Sequence, residues 1–353
     1  MKTAVVIQAG GTGTRLWPLS TKKNPKQFAR LIEGKSLLRN TFERLAKQYC
    51  NQDIFITSNI LFKDQILQEI PEISEENLIL EPHKMDTSAA IGLTAFKMEM
   101  LKYDTVICIS CDHNIINISE FLKVLKISEE IAIKYPNNLV LIGMNPNYPA
   151  TGFGYIEMGE PVDRFQGEIV FKVNSFKEKP DKSTAEQFIN DWRYLWNAGY
   201  FIFNPKFLLK KYNEIANKTF LALKSCYTLD PNDKKFNENY LQCEAISFDY
   251  AIVEKLNEIL VIPANVGWSD IGSWKTVHEI LTNNRPRENV SIGQTKVIDS
   301  EGVMIYSTDD KLIAVLGLKN LIVINTKKVL LITNQDNSEN VKKLVSEIDE
   351  ELK

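Results

Sequence analysis

The sequence is short of the residues that build the commoner chemical sites. Three histidines in 353 residues, with no cluster among them, leave little for an imidazole-based metal centre. Five cysteines stand at 50, 108, 111, 226 and 243. The tempting pair, Cys108-x-x-Cys111, begins inside "TVICIS", which reads as a strand, where residues three apart point to opposite faces. With no second Cys/His pair, buried reduced thiols are expected rather than a shared metal or a redox bridge. Positive charge is not in excess: 42 Lys and Arg face 45 Asp and Glu, a net −3. That balance argues against a nucleic acid polymer or an anionic membrane as partner, and leaves open local basic residues around a small anion. Long apolar runs are missing too. Lys2 precedes only a short apolar stretch, too brief for a signal segment or a membrane span, so a cytoplasmic protein is expected.

Short runs rich in Val, Ile and Leu are plentiful: "AVVIQA", "DIFITS", "NLILEP", "TVICIS" and "LVLIGM". Between several of them lie helical patterns such as "SLLRNTFERLAKQY" and "FLKVLKISEEIAIKY", with apolar residues three and four apart. Continuous apolar strands alternating with helices predict an α/β fold: a Rossmann-like, mostly parallel sheet covered on both faces. From about residue 150 the pattern loosens into alternating strands with aromatic and charged insertions. "SFDYAIVEKL" predicts a helix with Ser247 as N-cap and Asp249 near its positive end. Beyond "NNRPREN" short β segments separated by Gly, Asn and Asp follow without a strict repeat period, then an amphipathic helix over about 338–351. The expected division is a catalytic domain over 1–282 and a small β-rich domain over 283–353.

"QAGGTGTRLWPLS" follows the first apolar run. It lacks the third glycine of a dinucleotide fingerprint, where Leu16 stands, and the closing Gly-Lys-Ser/Thr of a Walker A loop, where Thr14 and Arg15 follow Gly13. A glycine turn at a strand's carboxyl end remains, able to turn backbone N–H groups toward phosphate, with an Arg beside it. A plain strand-to-helix turn is the bland alternative. Lys26 in "NPKQF" suits a triphosphate or is a solvated surface lysine. Asp112 follows "TVICIS" and is a turn former unless a second carboxylate meets it, for which Asp270 in "GWSDIGSW" is the candidate. Two such carboxylates with substrate phosphate oxygens suit Mg²⁺. Glu178 and Lys179 in "FKEKPD" read as surface charges, or as a hydroxyl acceptor and an anion clamp.

Taken in order, "QAGGTGTRLWPLS…NPKQF", "EP…TSAAI", "CDH", "TGFGYIE", "FKEKPD", "WNAGYFIF", "FDYAIVEK" and "GWSDIGSW" resemble the bacterial mannose-1-phosphate guanylyltransferases of the sugar-nucleotidyltransferase superfamily. The resemblance spans roughly residues 4 to 280. The region after it resembles that family's short left-handed β-helix-like domain, but not the cupin-type isomerase domain of longer relatives. It implies transfer of a guanylyl group from GTP to mannose 1-phosphate with release of pyrophosphate. Gly10, Gly11, Gly13 and Thr87 are then implied on the nucleotide, and Arg15 and Lys26 on the triphosphate. Lys179 falls to the sugar phosphate, Gly154, Glu178 and Asn197 to the sugar, and Asp112 and Asp270 to Mg²⁺. Glu81 takes the position that reads the base, and a carboxylate can accept the N1–H and N2–H donors of guanine together. A homodimer is implied as well. The stretch after Glu81 departs from the family's Arg-Asn-Thr run, with Met85 and Asp86 before Thr87 and Lys84 one place earlier. Another sugar phosphate or nucleotide therefore stays open, as does a catalytically silent sensing subunit, although the charged site residues are all present.

Overall fold

A computed structural model of the chain describes residues 1–11 and 13–353. The chain divides into two compact units, neither of them continuous. The larger comprises Met1–Gly10, Phe42–Ser110 and Ile115–Trp268; the smaller comprises Gly11–Thr41, Cys111–Asn114 and Ser269–Lys353. The expected boundary after 282 is a linear one, whereas the units interleave.

Nine strands form the sheet of the larger unit: β1 (Thr3–Gln8), β2 (Ile54–Asn59), β3 (Leu78–Glu81), β4 (Thr105–Ser110), β6 (Leu139–Met144), β7 (Gly154–Phe165), β8 (Glu168–Lys177), β9 (Tyr194–Phe203) and β10 (Ile259–Ala264). Two short strands, β5 (His113–Ile115) and β11 (Trp268–Asp270), lie where the chain passes between units. The order is β3-β2-β1-β4-β9-β6-β10-β8-β7. Val6 on β1 pairs in parallel with Phe55 on β2 and Cys108 on β4. Ala4, Val5, Val6 and Ile7 are all fully buried, because both faces of this half are covered and no polar alternation is needed. The five strands anticipated from apolar runs are β1, β2, β3, β4 and β6. β9 enters antiparallel between β4 and β6, and β7 and β8 form a long antiparallel hairpin.

Two local features aim side chains at the sheet's carboxyl end. The register of β6 against β9 shifts between Leu141 and Gly143, and Gly199 takes φ +68°. This irregularity turns Asn197 so that its Oδ1 accepts the Gly199 N–H at 3.1 Å while its Nδ2 is left to reach elsewhere. Ser247 caps the helix Phe248–Ala251 as expected, its Oγ accepting the Tyr250 N–H. That helix is shorter than the sequence pattern predicts, since Ile252 leaves helical geometry and Val253–Lys255 is a 3₁₀ turn. Phe248 anchors it by packing edge-on against Phe201, ring centroids 4.7 Å apart.

In the smaller unit, Leu16, Trp17, Leu31 and Leu37 from the early segment share one core with Ile271, Trp274, Met304, Ile322, Ile324 and Val341. Trp274 Nε1 donates to the Trp17 carbonyl at 2.9 Å. Strands β12 (Val290–Ile292), β14 (Met304–Ser307) and β16 (Leu321–Asn325) stack in parallel, as do β13 (Thr295–Ile298) and β15 (Ile313–Leu316). This is a parallel coil, closed on one side by the antiparallel β17 (Leu330–Asn334). Val290 faces Met304 and Met304 faces Ile322, so successive coils differ in length and no fixed period marks the sequence. The terminal helix is broken into a 3₁₀ turn at Gln335–Asn340, an α-helix at Val341–Glu347 and a last 3₁₀ turn, because Asn334 caps the tighter first turn. Among the described residues no helix is long and apolar enough to cross a membrane.

Candidate active site

The predicted site residues divide between the two units. In the smaller unit, Gly13 holds φ +62° at the entry to the 3₁₀ turn Thr14–Leu16, and the Leu16 N–H returns to its carbonyl at 2.9 Å. A Cβ on Gly13 would fall 2.5 Å from Lys26 Cβ, and one on Gly11 would fall 3.2 Å from Lys26 Cε. Glycine is therefore required where the Lys26 stem lies along the loop. Thr12 lies outside the described residues. The turn Lys26–Phe28 is held by buried Gln27 and Phe28 and delivers the Lys26 ammonium onto the Asp112 carboxylate. Burial works to lower the ammonium's pKa, yet Asp112 outweighs it and the net direction is upward.

Asp112 and Asp270 are brought together by the backbone, since the Ile271 N–H donates to the Asp112 carbonyl at 2.9 Å. Burial, and next the charge of Asp112, push the Asp270 carboxyl up to about 6. Arg15 Nη1 sits 2.7 Å from Glu339 Oε2. The structure thus gathers Gly11, Gly13, Arg15, Lys26, Asp112 and Asp270, and adds Glu339, which the sequence did not single out. Its position after irregular β segments carried no signal.

In the larger unit, Glu81 ends β3 and is buried. A Cβ on Gly10 would lie 3.9 Å from Glu81 Oε1, so the carboxylate faces the turn after β1. Its other oxygen accepts from the Tyr240 hydroxyl at 2.5 Å. The departing residues have local duties: Met85 packs against the core, and Asp86, at φ +62°, accepts the Thr87 N–H at 2.7 Å. Thr87 Oγ1 accepts the Phe248 N–H at 2.8 Å, so this hydroxyl fixes the start of the helix carrying Asp249.

Gly154, Glu178, Lys179 and Asn197 also converge. Asn197 pairs with Gly154 across β9 and β7, and its Nδ2 donates to Asp249 Oδ1 at 2.8 Å. The Glu178 N–H donates to Glu254 Oε1 at 3.0 Å, and Lys179 Nζ reaches Glu178 Oε1 at 2.7 Å. Lys179 holds φ +44°, a sparsely populated conformation for a side-chain-bearing residue. Burial first, then Glu178, push Asp249 up to about 7. The sequence assigned Asp249 only to a helix start; its place at the first turn of a helix opposite a bulged Asn is a long-range relation.

Gly154 has no room to grow. A Cβ would meet Glu178 Oε2 at 2.5 Å and Phe176 at 2.8 Å. Gly154→Ala should displace the Glu178 carboxylate and cost about 1–3 kcal/mol of stability through overpacking. Urea titration and crystallography of the variant check this; an undisturbed Glu178 would contradict it.

The described cysteines form no disulfide; four of them are buried as expected, and Cys50 is exposed instead. Burial pushes Cys108 up to about 12, which keeps it an inert thiol. Among the described residues no three His, Cys, Asp or Glu side chains are grouped to hold a metal.

Comparison with known families decides the assignment, because the profile described as nucleotidyl transferase matches residues 4–285. The chain belongs to the nucleotidyl transferase family. Behind this nucleotidyl transferase region, residues 293–348 match a mannose-phosphate isomerase/GMP-like β-helix domain. The nucleotidyl transferase is 33% identical over 98% of its length to a mannose-1-phosphate guanylyltransferase of Salmonella muenchen, of which 73% is covered. A mannose-1-phosphate guanylyltransferase of Salmonella typhimurium is 35% identical over 96% of this chain and 71% of its own. Among solved structures, one from Thermus thermophilus described as a mannose-1-phosphate geranyltransferase superposes with a TM-score of 0.86. It is 28% identical, covering 98% of this chain and 99% of that one.

Proposed function

We propose that this nucleotidyl transferase makes GDP-mannose, passing the guanylyl group of GTP to mannose 1-phosphate and releasing pyrophosphate. The observation that carries the reading is the alignment of relatives bearing that activity in their names over nearly the whole chain. An oxygen of the sugar phosphate attacks the α-phosphorus in line, and the bond to the β-phosphate oxygen breaks. Two anions must meet, so the demand is charge neutralisation and alignment rather than acid–base catalysis.

Arg15 and Lys26 bind the triphosphate and stabilise the departing pyrophosphate, while Gly10, Gly11 and Gly13 let the backbone approach it. Glu81 reads guanine. Glu178 and Asn197 take sugar hydroxyls beside Gly154, Lys179 takes the sugar phosphate, and Thr87 supports the nucleotide side. Asp112 and Asp270 fit Mg²⁺: both are partly buried hard-oxygen groups, burial and the Asp112 charge push Asp270 up, and the pair would hold a dication that relieves this. When bound, the ion supplies charge neutralisation at the phosphates.

We read the working form as a cytoplasmic homodimer, with exposed Leu316, Leu330 and Ile332 of the coil as the apolar surface a second copy would cover. A monomer mass by light scattering at micromolar concentration would contradict the dimer.

Pyrophosphate release with Mg²⁺ and mannose 1-phosphate should be fastest with GTP among GTP, ATP, UTP, CTP and dTTP. Faster release with another nucleotide would overturn the GTP assignment. Silence with all five would favour a different sugar phosphate or a sensing subunit.

A further inference from the structure

Tyr240 lies at the end of the helix Lys234–Tyr240, a segment none of the motifs includes, and is fully buried. Phe236, one turn earlier, stacks on it with ring centroids 5.9 Å apart and planes 16° off parallel. The ring is thereby fixed, and its hydroxyl points at Glu81 Oε2, 2.5 Å away. Glu81 Oε1 faces the Gly10 turn.

The two protonation states of a carboxyl group read different purines. An ionised carboxylate only accepts, matching the N1–H and N2–H donors of guanine. A protonated carboxyl offers one donor and one acceptor, matching the N1 acceptor and N6–H donor of adenine. We propose that Tyr240 is a positioning residue that sets the choice of guanine over adenine, by donating its hydroxyl hydrogen to Glu81 and holding that group as a pure acceptor. The proposal rests on Glu81 being the base reader.

Glu81 needs such help. Burial pushes it up to about 7, with the Tyr240 hydrogen bond opposing the rise and the charge of Asp86 adding to it. The titratable groups around it are Tyr240 and Cys243 on one side and Asp86 on the other. Among the described residues it has no lysine or arginine ion-pair partner, so the phenol is the donor that favours the anion.

The test measures kcat/KM for GTP and ATP, with mannose 1-phosphate, at pH 6 and pH 8. It uses the full chain, Tyr240→Phe and Glu81→Gln. The triphosphate and the metal titrate alike in both nucleotides, so the GTP/ATP ratio isolates the base. In the unmodified chain the ratio falls by up to about a hundredfold from pH 8 to pH 6, since ionised over protonated Glu81 changes by one decade per pH unit. In Tyr240→Phe it is already about tenfold lower at pH 8, the loss lying in KM for GTP rather than in kcat. In Glu81→Gln, whose amide is both donor and acceptor, it is lowest and independent of pH.

An unchanged ratio and pH profile in Tyr240→Phe, with Glu81→Gln altered, would overturn the role of Tyr240 and leave the base reader standing. An unchanged ratio in Glu81→Gln would remove the base reader itself. Should Tyr240→Phe fold poorly, Phe236→Leu, which keeps the hydroxyl but removes the ring stacked on Tyr240, lowers the GTP/ATP ratio at pH 8, and an unchanged ratio there with Glu81→Gln altered overturns the proposal.

Discussion

Asp270→Asn lowers turnover on the order of 10³-fold at saturating Mg²⁺ and, at pH 8, raises the melting temperature. The first effect follows from the Mg²⁺ role proposed for Asp270, where charge must be neutralised in the transition state. The second follows from linkage. The folded pKa of Asp270, about 6, lies above the ordinary 3.8, so the folded state holds the proton more tightly and stability falls as pH rises between those values. Above pH 6 that loss is complete, and a neutral Asn escapes it. After discounting solvent access the gain is about 2 kcal/mol at pH 8, vanishing below pH 4. Thermal unfolding at pH 4 and pH 8, beside steady-state kinetics, checks both halves. Unchanged turnover at saturating Mg²⁺ would sink the metal role, and a melting difference independent of pH would sink the burial argument.

Lys26→Met has the opposite effect on stability with a similar loss of activity. Methionine keeps an unbranched stem along Gly11 and Gly13 and removes only the charge. Asp112 then loses its ion-pair partner and Asp270 a nearby cation, and breaking this partly buried pair by deleting one partner costs about 1–3 kcal/mol. Turnover should fall about 10³-fold as the triphosphate loses its cation. Neutralising the partner as well, in Lys26→Met/Asp112→Asn, restores most of the stability and none of the activity, because the double variant has no stranded carboxylate. Mg²⁺ should also raise the melting temperature of Lys26→Met more than that of the unmodified chain. Denaturant titrations of the single and double variants decide; a double variant as unstable as the single one would show that Lys26 acts through packing rather than charge.

What could be read from the sequence was local. β1 to β4 and β6 showed as apolar runs because both their faces are covered. Arg15, Lys26, Asp112 and Asp270 could be nominated as chemical types, yet their gathering depends on a backbone bond between positions 112 and 271, which no spacing rule contains. Asp249 looked like a helix-start residue because its partner, Asn197, is on another strand and is aimed by a bulge. Tyr240 hid in "KKFNENY", a stretch that reads as solvated surface; Phe236 and Tyr240 four residues apart were the one sign that it has an inner face. The coil showed as short β segments and through the family resemblance rather than as a repeat, because its turns differ in length; the interleaving of the units stayed hidden because hydrophobic pattern carries no information about distant partners.

That interleaving bears on the order in which the protein comes into being. Residues 11–41, with the anion-facing loop, leave the ribosome early, but Leu16, Trp17, Leu31 and Leu37 are packed by Ile271, Trp274, Met304, Ile322 and Val341. Contacts so remote in sequence close late, since the whole intervening stretch must first be synthesised. The segment proposed to grip phosphate is thus the first made and among the last to be packed. A nascent or prematurely stopped chain therefore carries this segment without its packing partners until the final third arrives.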